Sequence, residues 1–245
     1  MRFILPIIFL LFNTFCFAEL TLPKTSSAAK QPQIQQEQSP KNEDANKELH
    51  EATDKLHLRG VYNALLKGAD INSVYNRQAP IHIAVSKQSA DMIKYLIKCG
   101  ADINIIDGAE FSPLMIAVDE NNFEIVKLLL QNGADINTKI PDSGSIDVQT
   151  NGKTVYKYEY DEDLITRALK NENLEIAKYL IANGFKLNAS NLSAALLNAS
   201  MFNNIQAVKF IMSKGLKYKD FNMTPAIIVS IKSGYFPLVK YLISA

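Results

Sequence analysis

The chain has 245 residues, 47% of them hydrophobic, and a formal net charge of +1. That is enough apolar material for a real core. The near balance of charge excludes a chain built as a whole to hold nucleic acid or an anionic membrane.

The first segment stands apart. Arg2 supplies a positive start, Phe3 to Phe12 is almost wholly apolar, and the small residues Cys16 and Ala18 follow two apart. This is the layout of a secretory signal peptide (1–18), with cleavage expected after Ala18. The apolar run falls short of the roughly 20 residues that a spanning helix needs; an uncleaved anchor is the other reading. Phe15 is bulky where a lipoprotein signal resembles a small residue before Cys. Removal of the segment takes Cys16 with it and leaves Cys99 alone. The processed chain then has no internal disulfide, and Cys99 reads as a small buried hydrophobe at a helix end.

Residues 19–46 are polar and rich in Gln, Lys, Ser and Pro. Such a stretch buries too little apolar surface to offset its ordering entropy, so it reads as a disordered linker. As a flexible coil it would span roughly 30 Å.

From residue 47 onward an internal repeat is visible. The run Gly-Ala-Asp-Ile-Asn occurs at Gly68–Asn72, Gly100–Asn104 and Gly133–Asn137, and the last two copies are 33 residues apart. Pro80 and Pro113 keep the same spacing and lead the helix starts Pro80-Ile81-His82-Ile83-Ala84 and Pro113-Leu114-Met115-Ile116-Ala117. Proline in a first helical turn gives up an N–H that had no partner. A second apolar helix follows in each copy, with Met92 to Ile97 and Ile125 to Leu130, and the glycine closes it. One such unit cannot bury its own apolar face, so several must stack.

These prolines, alanines, glycines and Asp/Asn pairs, all in register, resemble the ankyrin family over residues 47–245. The resemblance implies an all-α solenoid of stacked helix–turn–helix repeats with short β-hairpins, about six units in all. The unit from Lys47 to Gly68 reads as an N-terminal cap. Later units are weaker: a fourth ends at Gly184, a fifth runs from about Asn191 to Gly215, and a sixth begins at Thr224-Pro225. The chain stops at Ala245, one residue before a closing glycine is due, so Leu238, Val239, Leu242 and Ile243 read as a partly uncapped apolar end.

Gly184 follows Gly133 by 51 positions, against 33 for a regular copy. The excess lies in residues 138–162, where the family places its hairpin. Asn151-Gly152 between two β-rich runs signals a two-residue hairpin turn, so one finger is expected to extend into a β-ribbon. Pairing across that turn puts Val148 opposite Val155, and Tyr156, Tyr158 and Tyr160 on the face that carries Asp147 and Gln149. The tyrosine row suits a binding surface; packing back on neighbouring repeats is the alternative.

No nucleophile motif, phosphate loop or metal-ligand spacing appears. His50 and His57 lie seven apart on a polar helix and are expected to face solvent. His82 sits where the family pattern carries a histidine, which implies a bond from its ring to the hairpin backbone. Acidic runs such as Asp161-Glu162-Asp163 read as solvated edges. From Asn188 onward Asp220 is the sole carboxylate, against Lys209, Lys214, Lys217 and Lys219 among others. That bias reads as a solvated solenoid edge or as contact with an acidic partner or anionic surface.

The expectation is a non-catalytic module, without cofactor or metal, that binds a protein partner and no nucleic acid. Export to the periplasm or out of the cell is expected from the signal segment. The family's usual binding face is concave, formed by hairpin tips and first helices. Carried over by position, it comprises Tyr75, Asn76, Gln78, Ser86 and Lys87, then Ala109, Phe111, Asp119 and Glu120, then Lys170 and Asn171. The ribbon adds Tyr156, Tyr158 and Tyr160. Self-assembly as a structural protein and regulation of an exported enzyme are the alternatives. An enzyme with its site in the inserted finger is a third.

Overall fold

The computed structural model describes residues 42–138, 143–150, 153–161, 163–214 and 223–244. The described residues form six successive helix pairs. They are α1 (Glu43–Asp54) with α2 (Leu58–Leu66), α3 (Pro80–Ser86) with α4 (Ala90–Lys98), and α5 (Pro113–Asp119) with α6 (Phe123–Gln131). After two strands, β1 (Ser143–Thr150) and β2 (Lys153–Asp161), come α7 (Leu164–Lys170) with α8 (Leu174–Ala182). The last pairs are α9 (Ala189–Met201) with α10 (Ile205–Met212), and α11 (Thr224–Lys232) with α12 (Phe236–Ser244).

The first helix of each pair packs on the first helix of the next, so that α1, α3, α5, α7, α9 and α11 form one row. Close approach inside each pair requires a small side chain at one place. Ala52, Ala84, Ala117, Ala168, Ala199 and Ser230 occupy it, all buried. Ser230 keeps its hydroxyl satisfied by donating to the Ala226 carbonyl at 2.7 Å. The turn inside each pair needs one residue of left-handed backbone. Leu56, Gln88, Asn121, Glu172 and Asn203 supply it with φ of 53 to 59°, and Gly234 does so in the last pair. A short polar side chain then caps the second helix: Ser89, Asn122, Asn173 and Asn204 each accept from the amide three residues on, which satisfies an orphan helix donor.

The repeated Gly-Ala-Asp-Ile-Asn run has a job for each polar residue. Gly100 and Gly133 take φ of 93° and 92° and close their helices, a conformation that costs glycine least. Asp70, Asp102 and Asp135 each accept from the backbone of the asparagine two residues on, at 2.9 Å. Each asparagine then reaches the next unit: Asn72 Oδ1 accepts from Asp102 N, and Asn104 Oδ1 from Asp135 N, both at 2.8 Å. Asn46 starts this ladder by accepting from Asp70 N at 2.8 Å.

Asn46 therefore belongs to the array and not to the linker. Helix α1 begins at Glu43, with Asn42 as its side-chain cap, inside the stretch 19–46 that the sequence reading gave to the linker. The reason is a single apolar stripe, Ala45, Leu49 and Ala52, in a helix packed against α2 and α3. The ladder stops where Phe185-Lys186-Leu187-Asn188 replaces the repeated run. Asn188 instead caps α9 in a reciprocal pair with Asn191, each side chain accepting from the other's backbone N–H at 2.9 Å. This starts α9 early and makes it 13 residues long, against 7 for α3, α5 and α7.

β1 and β2 pair antiparallel, with Thr150 opposite Lys153 and Gln149 opposite Thr154. An irregularity between Val148 and Gln149 then shifts the register, so that Val148 pairs with Tyr156 and not with Val155. The positions of Tyr156, Tyr158 and Tyr160 are thereby matched to Val148, Ile146 and Gly144, which corrects the expected pairing. A bulge of this kind adds one unpaired residue to one strand. Asn151 and Gly152, on which the turn was expected, lie outside the described residues.

Candidate functional site

The fingers between units are built from short hydrogen-bonded turns. In the first, Tyr75 and Gln78 exchange both backbone hydrogen bonds, at 3.0 and 3.1 Å. Asn76 and Arg77 between them have φ of 50° and 69°, the pattern of a two-residue hairpin turn with both central residues left-handed. In the second, Asp107 accepts at its carboxylate from Ala109 N and Phe111 N, at 2.8 and 2.9 Å. Its own amide donates to the Phe111 carbonyl at 2.9 Å. The two fingers are tied together: Arg77 donates from its guanidinium to the Gly108 carbonyl, and Gly108 N donates to the Arg77 carbonyl at 2.6 Å.

Two histidines anchor these fingers to the helices. His82 Nδ1 accepts from Ala79 N at 3.1 Å, so Nε2 carries the proton and donates to the Ile105 carbonyl at 3.0 Å. His50 makes the matching finger contact one unit earlier, with Nε2 donating to the Ser73 carbonyl at 3.0 Å. It is buried, not solvent-facing as the sequence reading had it. Its ring tilts against Tyr75 with centroids 5.6 Å apart, and its Nδ1 is buried without a hydrogen-bond partner. Burial pushes both imidazoles below the usual histidine range. The Ser73 carbonyl opposes this at His50, and chiefly Asp107 opposes it at His82. Both rings are committed to the backbone in their neutral form.

The residues singled out by position fall into three sets. Tyr75 is exposed at the first fingertip and Gln78 is half-buried beneath it. Ser86 and Lys87 end α3 in the open, where Lys87 pairs with Asp54 at 2.9 Å. Phe111, Asp119 and Asn171 are brought together by a residue the sequence reading missed. Arg167 lies with its guanidinium carbon 4.9 Å from the Phe111 ring centroid and its Nη1 2.7 Å from Asp119 Oδ2. Asn171 donates to the Asp119 carbonyl at 3.5 Å. Phe111 is thus covered on one face by a cation, while Glu120 and Lys170 stay exposed. Register would have found Arg167: it precedes Ala168 as Ile83 precedes Ala84 and Ile116 precedes Ala117, so a cation stands where two units carry isoleucine. The side chains of Tyr156, Tyr158 and Tyr160 lie outside the described set.

The ribbon changes the first-helix row. β2 lies against α9 and β1 against α11. At the place where Ile83, Ile116 and Arg167 are only partly buried, α9 carries Asn198, which is 3% exposed. Its side chain donates instead to the Ala194 carbonyl at 3.0 Å. Every residue from Asn191 to Ser200 is buried. The row is therefore open along α3, α5 and α7 and closed along α9.

A family model described as "Ankyrin repeats (3 copies)" matches residues 49–140 and again 161–245. The chain belongs to the ankyrin-repeat family, whose repeats are generally protein–protein interaction modules. The break between the two matches coincides with β1 and β2. No curated protein matches the chain. No helix among the described residues is long and apolar enough to cross a membrane.

Proposed function

We propose that this is an exported, non-catalytic protein that holds a protein partner on the fingers and first-helix row of its first four units. The observation that carries the reading is the contrast along that row. Units two to four present Tyr75, Ser86, Glu120 and Lys170 to solvent, while the ribbon packs over α9 and α11. Aromatic side chains dominate binding hot spots, which makes Tyr75 the leading anchor and Phe111, steadied by Arg167, the second. Rigid placement supports the reading too. The finger carrying Tyr75 is fixed by His50 beneath it and by Arg77 beside it, so little order remains to be imposed on binding. The commitment of both buried histidines to backbone carbonyls argues against proton-transfer chemistry there.

Export rests on the segment 1–18 and places the partner in the periplasm or outside the cell. Mass spectrometry of the purified protein's N terminus tests it: a chain starting at Glu19 is expected, and a chain starting at Met1 in the cytosolic fraction contradicts it. The binding surface is tested by capture. Residues 19–245 are used as bait beside Tyr75→Ala and beside a version lacking Ser143–Asp161. The expected partner is retained by the ribbon deletion and weakened about tenfold or more by Tyr75→Ala. A partner lost with the ribbon and indifferent to Tyr75 would move the site to the ribbon.

A further inference from the structure

Charge is unevenly distributed along the solenoid. Residues 42–175 carry 22 acidic and 14 basic side chains, whereas residues 176–245 carry eight lysines and Asp220 alone. The ion pairs among the described residues, Lys55–Glu51, Lys67–Glu48, Lys87–Asp54 and Arg167–Asp119, all lie in the acidic part. Lys178, Lys209, Lys214, Lys232 and Lys240 are instead exposed without a carboxylate partner among those residues. Several lie near rings: Lys214 at 4.6 Å from the Phe210 centroid, and Lys209 at 5.9 Å from that of Tyr241.

Large apolar side chains are exposed on the same two units. Phe236 is 72% exposed, Ile243 69%, Phe202 54% and Ile231 52%. Phe202 and Phe236 flank the left-handed turn residues Asn203 and Gly234 of two consecutive helix pairs. Phe202 directly follows α9, where units two to four carry Lys87, Glu120 and Asn171. Lys232 ends α11, Phe236 opens α12, and Lys240 and Ile243 follow it at helical spacing on one face. We propose that this edge of units five and six docks on the surface of an anionic lipid bilayer, with Phe202 and Phe236 entering the headgroup layer and Lys209, Lys232 and Lys240 facing its charge. Cations beside exposed aromatic and aliphatic side chains are what such an interface binds.

A soluble polyanion would meet the lysines but bury none of the four apolar side chains. A second copy stacked on the last unit would cover Ile231, but it would not reach Phe202, whose unit already has α11 and α12 packed beyond it.

The test is cosedimentation of residues 19–245 with vesicles. This form keeps every described residue and lacks the apolar segment Phe3–Phe12, which would bind any bilayer. Vesicles of phosphatidylcholine containing phosphatidylglycerol are compared with phosphatidylcholine alone. Binding to the anionic vesicles alone is expected, weakening as salt is raised. Lys209→Glu, Lys232→Glu and Lys240→Glu combined should weaken it about a hundredfold, from about fivefold per lysine. Phe202→Ser with Phe236→Ser should weaken it about tenfold. All five side chains are exposed, so circular dichroism and melting should stay unchanged and report any misfolding. Equal binding to both vesicles, or binding to neither, overturns the proposal. So does binding to dextran sulfate without binding to vesicles, or self-association that the same substitutions abolish.

Discussion

His50 and His82 show how single side chains set the fingers and, through them, the exposed tips. Each gives one ring nitrogen to a carbonyl 23 residues ahead, and each is held neutral by burial. Their folded pKa values lie below those of the unfolded chain. Below about pH 6.5 the unfolded chain therefore takes up protons that the folded one refuses, and stability falls as pH drops. Urea melts at pH 7 and pH 5 should show this loss, and His50→Gln with His82→Gln should flatten it at the cost of a lower midpoint. Asp163 has the opposite sign. Burial raises its carboxyl above the usual range despite its bond from Thr166 N. The stability it contributes is full below the unfolded pKa near 3.9 and is lost as pH rises through the folded value. Asp163→Asn keeps the cap and should be more stable at pH 7 by the same melts. At Gly108 an added Cβ would lie 2.6 Å from Arg77 Cβ, an atom too near the backbone to swing away. Gly108→Ala should cost about 1–3 kcal/mol and loosen the Tyr75 finger. A melt equal to the parent's would disprove that packing. The role of His82 was legible because it sits in a recognisable run. His50 was not, because α1 looks polar throughout, although its 32-residue offset from His82 matches that of Ala52 from Ala84.

Elements differ in how far local signals determine them. The repeated helices were legible from proline, alanine and glycine in register, and the asparagine ladder explains why Asp and Asn recur together. The ribbon was legible as two strands but not in its pairing. An Asn-Gly turn sets the first pairs beside it, and the irregularity after Gln149 then changes the rest. That α9 would be long and buried from Asn191 to Ser200 was not legible, because both depend on partners distant in sequence. Asn188 is freed from the ladder to cap it, and the ribbon packs on it from a strand that ends at Asp161, 28 residues before α9 begins. A two-stranded ribbon is marginal alone, so the contact supports both sides. Deleting Ser143–Asp161 should speed amide hydrogen exchange in α9 and α11 well above that in α3 and α5. Unchanged protection in α9 would mean that the ribbon does not cover it.

At the scale of the whole molecule, an array of repeats is a chain of nearest-neighbour interfaces, and regions of it can be given over to separate tasks. Units one to four join two hydrogen-bonded fingers to a partly open first-helix row. Unit five has that row covered, and the other edge of units five and six combines lysines with exposed phenylalanines. The sequence shows the charge polarity directly, but only the placement of the ribbon tells which part of the row is free. The most direct test is site-specific photo-cross-linking. A photoreactive residue is placed at Tyr75, Ile116 or Asn198 in turn, and each protein is exposed to the compartment in which the chain resides. One partner cross-linked from Tyr75 and Ile116, and not from Asn198, is the expected result. A partner cross-linked from Asn198 and from neither of the other two would contradict the account.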